Sequence, residues 1–293
     1  KREPAKDYND VKSVDGIKIV HHNIFTNKIA YINMSFDTKC VPDELIPYMG
    51  LLGSTLSLMD TKNYTYPELT NEININCGGL ATGTALYSDK VDFSKNTIVY
   101  EVKSKALYEK VPFVLGMMEE IMYNTRFDDY KRLKEIIARI KSRLEASLMG
   151  QGHSIAMLEC CAQFSESAYY SDILRGYKYY EFIKKLDEEF EQNKTQIVDK
   201  LNKLVGYIFN KDNVIVSLTA DDEGYDCFVK ALSAKSCNIK DEHYNTAVRS
   251  FIPVNVKTGY TSASQVQYVA RCGNFVKDGY KYTGALKVLK AVS

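Results

Sequence analysis

Residues 29–36 read Ile29-Ala30-Tyr31-Ile32-Asn33-Met34-Ser35-Phe36, and their alternation decides the fold class. Ala30, Ile32, Met34 and Phe36 share one face, while Tyr31, Asn33 and Ser35 share the other. That is the period-two pattern of a strand buried on one side and wet on the other. Ile17–His21 repeats the pattern upstream, and the two segments predict a hairpin. Downstream, Glu44–Met59 reads as a mostly apolar helix. Thr65-Tyr66-Pro67-Glu68 is a capping box with proline in the first turn. Its helix ends at Gly78-Gly79, which supplies the positive φ of a C-cap. Strands follow at Leu80–Tyr87 and Thr97–Lys103.

The pattern then turns helical. Glu109–Tyr123 is followed by Asp128 as an expected N-cap, then by a stripe of Leu133, Ile136, Ile137, Ile140, Leu144 and Leu148. Helices are predicted over His153–Tyr169, Tyr177–Gln192 and Lys194–Phe209, then a strand at Val214–Leu218 and a helix at Tyr225–Lys235. After His243 the opening pattern returns, with strand-like Phe251–Val256 and Gln265–Cys272 and helical Tyr282–Val292. We therefore expect a linker over residues 1–12, one complete module over 13–244, and the truncated start of a second copy over 245–293. Strands and helices are grouped rather than alternating, so the expected class is α+β, an antiparallel or mixed sheet packed by helices.

The composition excludes several classes. Among 293 residues, 45% are apolar and 26% charged, and 38 Lys and Arg against 37 Asp and Glu leave a net charge of +1. Such a balance gives no electrostatic case for nucleic acid or an anionic membrane as partner. Apolar runs such as Val111–Met118 fall far short of the ~20 residues that span a bilayer. The start at Lys1 and the end at Ala291-Val292-Ser293 read as those of a fragment. Seven cysteines, an odd number with no Cys-x-x-Cys, fit a reducing cytoplasm. Cys160-Cys161 lies in an apolar helical segment and reads as buried thiols, with a redox role as the alternative. Twenty-two tyrosines and no tryptophan leave polar-aromatic contacts or compositional drift as explanations.

Four histidines limit the chemistry: His21, His22, His153 and His243. Neither His-Glu-x-x-His nor His-x-x-Glu-His occurs. Glu242-His243 comes nearest the inverted motif, but Ile239 stands where its first histidine would be. His21-His22 reads as a solvated strand end whose side chains diverge. His153 follows Gly152 at a helix start, so it either makes a capping or interhelix hydrogen bond or faces a cavity as a substrate-binding residue. No phosphate loop and no Gly-x-Ser-x-Gly elbow occurs; Gly50-Leu51-Leu52-Gly53 reads as close helix packing. The residues alone assign no catalytic group and no metal ligand.

Five stretches, in order along the chain, carry a resemblance. They are Thr26-Asn27-Lys28-Ile29-Ala30-Tyr31 through Phe36-Asp37 to Leu45-Ile46-Pro47-Tyr48-Met49; Tyr66-Pro67-Glu68-Leu69 with Cys77-Gly78-Gly79-Leu80; and Arg143-Leu144-Glu145 through Gly152-His153-Ser154-Ile155-Ala156. The others are Gly176-Tyr177-Lys178-Tyr179-Tyr180-Glu181-Phe182-Ile183, and Val266-Gln267-Tyr268-Val269 with Thr283-Gly284-Ala285-Leu286-Lys287-Val288-Leu289. Together they resemble the second half of a presequence-protease-like zinc metallopeptidase of the pitrilysin/insulinase superfamily. The resemblance implies four α+β modules in two halves that close as a clamshell over a peptide chamber. Residues 13–244 would be the third, non-zinc module, and 245–293 the start of the fourth. Zinc would be bound upstream by the N-terminal half, the expected partner. Pro47-Tyr48-Met49-Gly50-Leu51-Leu52 would be the counterpart of the zinc helix, here without a ligand.

Three readings follow. In the first, the chain is the non-catalytic half of a zinc metalloendopeptidase that degrades unfolded peptides; alone it would be inactive, and its role would be to form chamber wall. In the second it is an inactive partner or scaffold subunit. In the third it is a peptide-binding module that uses its sheet edges for strand addition.

Overall fold

The computed structural model describes residues 9–89, 92, 95–234, 237–261, 266–276, 278–281 and 283–292. The elements run β1 (Asn9–Val14), β2 (Ile17–Asn23), β3 (Ile29–Asp37), α1 (Ile46–Thr55), α2 (Tyr66–Asn76), β4 (Leu80–Ser88), β5 (Asn96–Leu107) and α3 (Val111–Asn124). They continue with α4 (Tyr130–Gly150), α5 (Gly152–Ala162), α6 (Glu166–Arg175), α7 (Tyr177–Glu188), α8 (Phe190–Ile208), β6 (Val214–Ala220), α9 (Asp222–Ser233) and α10 (Gly284–Val292).

The strands form one six-stranded mixed sheet in the order β1-β2-β6-β3-β5-β4, as the α+β reading requires. β2 and β6 run parallel, and the other neighbours antiparallel. The expected hairpin of Ile17–His21 with Ile29–Phe36 does not form, because β6 inserts between the two strands. β2 instead pairs with β1 across Asp15-Gly16, both at positive φ (51° and 81°), which suits a two-residue hairpin loop. Asn9–Lys12, read as linker, is therefore strand; residues 1–8 of that linker lie outside the described residues.

One sheet face supplies the core. Ile19, Ala30, Ile32, Met34, Phe36, Tyr100, Val102, Val216 and Leu218 are buried against the helices, as the alternation of 29–36 anticipates. Each large aliphatic or aromatic side chain there contributes about 1.5–3 kcal/mol of transfer free energy. Helix α1 is packed in the interior with Tyr48, Met49, Leu51 and Leu52 buried, and its glycines permit that closeness. A Cβ on Gly50 would lie 2.8 Å from the Tyr179 ring, and one on Gly53 3.3 Å from the Gly83 Cα.

Several boundaries shift for identifiable reasons. Asp129, not Asp128, caps α4 by accepting from the Arg132 amide at 3.0 Å. Asp129→Ala is expected to cost about 1 kcal/mol, read as a lowered urea midpoint, while Asp128→Ala leaves the midpoint in place. His153–Tyr169 is two helices, α5 and α6, because the Ser165 hydroxyl accepts from the Ala168 amide and starts a new one. Asp221 caps α9 earlier than the expected Tyr225; Lys235 lies outside the described residues. Phe251–Val256 and the described part of Gln265–Cys272 form no strand. Their backbone turns to the helices instead, as where the Val254 amide donates to the Gln163 carbonyl at 2.8 Å. Of the expected second copy, α10 is regular; Gln265, Tyr282 and Ser293 lie outside the described residues. No helix among the described residues is long and apolar enough to cross a membrane.

Candidate functional site

Among the described residues, the second face of the sheet carries no helical layer of buried side chains, and it is built from the other half of the same alternation. Register places Tyr31 opposite Lys105 and Thr219, and Asn33 opposite Lys103 and Ser217. Ala81 stands opposite Lys103, Gly83 opposite Glu101, and His22 opposite Thr219. These side chains therefore share one surface. A cavity of about 430 Å³ opens on it, lined among others by Tyr31, Asn33, Gly79, Lys103, Lys105 and Ser217. Gly79, at φ +106°, makes the turn that brings Leu80 alongside β5, and Ser104 Oγ donates to its carbonyl at 2.8 Å.

Glu101 organises the middle of this face. It accepts from Asn33 Nδ2 at 3.0 Å and Tyr87 OH at 2.9 Å, and pairs with Lys103 Nζ at 2.6 Å. Burial alone would raise its pKa, but the bonds from Lys103, Asn33 and Tyr87 outweigh that and hold the carboxyl below its ordinary value. Buried Glu120 on α3 behaves alike: desolvation raises it, and bonds from Thr61, Asn124 and Asn63 bring the net below ordinary. A carboxylate depressed in the folded state stabilises above the unfolded value, about pH 4.3, and loses that stability as pH falls through its folded value. We expect the urea midpoint to fall as pH drops from about 5 to 3, and the fall to flatten in Glu101→Gln plus Glu120→Gln. An unchanged slope would contradict these roles.

The histidines divide as strand geometry demands. His21 is 1% exposed and its Nε2 lies 2.9 Å from the Ala220 carbonyl, so it is a core residue rather than a solvated strand end. His22, on the open face, places Nδ1 2.5 Å from Asn9 Oδ1 and Nε2 3.1 Å from Ser217 Oγ. That chain of three resembles an activated hydroxyl. However, β6 is hydrogen-bonded on both sides, by β2 and β3, so its amides are committed to the ladder and cannot receive an oxyanion. The three residues form a cross-strand ladder. His153 is exposed in the first turn of α5, its ring 6.0 Å from that of Tyr268. It lines neither the large cavity nor a second one of about 190 Å³ bounded by Gln151, Ser154, Arg175 and Tyr180.

His243 joins Asp212 and Asp241, their ligand atoms within 4.8 Å of one another, a grouping sequence spacing could not show. All three are exposed. His243 Nδ1 is already bonded to Asp212, which holds the imidazole above its ordinary pKa, and Lys211 Nζ lies 3.9 Å from Asp241. A hydrolytic zinc needs three free donors in a sheltered site with an open position. The cluster does not fit one: it is a surface ion-pair group. Cys160 and Cys161, expected to be buried, are half-buried on α5.

Residues 1–186 match the family profile described as Peptidase M-16C associated. Protein HypA of Clostridium perfringens is 35% identical over 296 residues, covering 99% of this chain and 30% of that protein. Presequence protease 1, chloroplastic/mitochondrial, of Arabidopsis thaliana is 25% identical, covering 98% of this chain and 27% of that protein. The chain thus spans under a third of the length of these two relatives. A crystal structure of a conserved protein from Enterococcus faecalis V583 shares the fold at a TM-score of 0.57 and 12% identity, over 81% of this chain and 54% of that one.

Proposed function

The chain belongs to the Peptidase M-16C associated family of pitrilysin/insulinase-type peptidases, and from that premise we propose that it is the non-catalytic half of a zinc metalloendopeptidase acting on unfolded peptides. Its open sheet face forms wall of the closed chamber that holds the peptide. The observation that carries this reading is the asymmetry of the sheet. One face is sealed by helices; the other presents a cavity of about 430 Å³ beside hydrogen-bonding groups of both charge signs. Lys103 and Lys105 offer contacts to peptide backbone and carboxylates, while Glu101, held by Asn33, Tyr87 and Lys103, offsets part of their charge. A chamber that admits varied sequences needs such a surface, and the net charge of +1 is in keeping with it.

In this reading zinc is held by residues outside these 293, and the partners are the N-terminal zinc-binding half and peptide substrates, with neither nucleic acid nor membrane. The unspaced, odd cysteine set supports a reducing, cytoplasmic setting. The isolated chain is expected to hold no stoichiometric zinc and to leave a quenched peptide uncleaved. One tightly bound zinc with turnover would overturn the assignment. In the full-length protein, Lys103→Glu with Lys105→Glu is expected to raise KM for unfolded peptides by up to about tenfold while sparing kcat, since the two contacts lie away from the reacting bond. An unchanged KM would count against the wall.

A further inference from the structure

We propose that Cys161 and Cys272 are an oxidisable thiol pair that closes into a disulfide and staples the segment around Cys272 to helix α5. Their sulfurs lie 3.2 Å apart although 111 positions separate them in sequence. The approach is held by the chain that precedes Cys272. Upstream, the Arg249 guanidinium donates to Thr38 and, at 3.2 Å, to the Val41 carbonyl, and the Phe251 ring lies 5.4 Å from Tyr169. The Val256 amide donates to Gln163 Oε1 at 2.9 Å, and the Tyr260 ring lies 3.9 Å from that of Tyr177. Nearer the pair, Tyr268 covers Gly152 so closely that a Cβ there would sit 2.5 Å from the ring. The inference does not depend on the peptidase reading.

The choice of pair follows from the helix. Cys160 and Cys161 are neighbours on α5, where helical geometry does not allow adjacent residues the dihedral a disulfide needs. Cys160 has its sulfur 3.9 Å from the Ala270 carbonyl and also approaches Cys272, but it is Cys161 whose sulfur stands 3.2 Å from that of Cys272. All three are half-buried and so within reach of a small oxidant. Burial raises the Cys160 and Cys272 pKa values, so these two rest as thiols.

The oxidant we invoke is a hydroperoxide. One thiolate attacks the peroxide oxygen, the O–O bond breaks, hydroxide leaves, and a sulfenic acid forms. The other thiolate attacks that sulfur, the S–S bond forms, and hydroxide leaves again. Two thiols and hydrogen peroxide thus give one disulfide and two waters.

The 293-residue chain, treated with hydrogen peroxide, blocked with a maleimide and digested without reductant, is expected to yield one internal link joining the Cys161 and Cys272 peptides. The link should persist in Cys160→Ser and vanish in Cys272→Ser. Trypsin cleavage after Arg271 should slow at least severalfold in the oxidised chain and recover on reduction. A dominant link through Cys160, cross-linked dimers, or full blocking of all seven thiols would overturn the proposal.

Discussion

Phe209→Ala is expected to lower stability by about 3–5 kcal/mol, a large part of the 5–15 kcal/mol typical of a folded domain. Phe209 is fully buried where α8 gives way to the chain leading into β6. Its ring meets those of Phe36 at 5.1 Å, Tyr100 at 5.5 Å and Tyr123 at 6.1 Å, all nearly edge-on. The side chain therefore joins β3, β5, α3 and α8 at one point. Tyr123 OH also donates to the Phe209 carbonyl at 2.8 Å, so the backbone is fixed and cannot collapse into the space left by the ring. Thermal melts should show a drop of roughly 10 °C, with a matching fall in urea midpoint. Phe209→Leu should recover about half of it. A loss under about 1 kcal/mol would mean that the ring is not the keystone described.

The second large effect is expected at Gly224, where addition of a single methyl group meets a ring that cannot retreat. A Cβ there would lie 2.5 Å from Cε1 and Cζ of Tyr108 and 2.6 Å from the Ala220 Cβ. The Tyr108 hydroxyl is held by Asp221 Oδ1 at 2.8 Å and Thr26 Oγ1 at 3.0 Å. Asp221 in turn caps α9 by accepting from the Gly224 amide at 3.1 Å. Alanine gains about 1 kcal/mol of helix propensity over glycine, but overpacking against a pinned ring costs about 1–3 kcal/mol and the cap is displaced with it. Gly224→Ala should therefore destabilise by about 1–2 kcal/mol net, and Gly224→Val by about 3 kcal/mol. In a Tyr108→Ala background the Gly224→Ala penalty should shrink or reverse. Strict additivity would show that the ring is not the obstacle.

The sheet face was legible in residues 29–36 because burial on one side imposes period two, whatever the strand's neighbours are. Strand order was not legible. Pairing of β2 with β6 joins His21 to Leu218 across almost the whole module, and no local pattern encodes so distant a partner. Asp15-Gly16 is a two-residue hairpin turn that the sequence reading passed over, because the polar run around Asn9–Ser13 hid a strand that lies at the sheet edge with little to bury. Phe251–Val256 has strand-like composition and finds no strand beside it among the described residues, so composition misled where pairing decides. At the candidate site, Tyr31, Asn33 and Ser35 were visible as the wet side of β3. Their convergence with Lys103, Glu101 and Ser217 was not, because it depends on register across three strands. The approach of Cys161 to Cys272 was hidden because 111 positions separate a helix residue from one in an irregular segment.

The tyrosine excess acquires a physical explanation in part. Tyr108 and Tyr123 each pack a ring against the core while the hydroxyl reaches Asp221 and the Phe209 carbonyl. Such a side chain suits sheet–helix seams, where one end is apolar and the other meets a polar strand.

The central claim is that the open sheet face, not the helical face, meets the peptide. It is tested most directly by photocross-linking an unfolded peptide bearing a benzophenone to the full-length protein and mapping the adducts by mass spectrometry. The account predicts adducts on the face of Tyr31, Asn33, Lys103, Lys105 and Ser217, reduced by unlabelled competitor peptide. Adducts confined to the exposed sides of α4 and α7, with none on the sheet face, would contradict it.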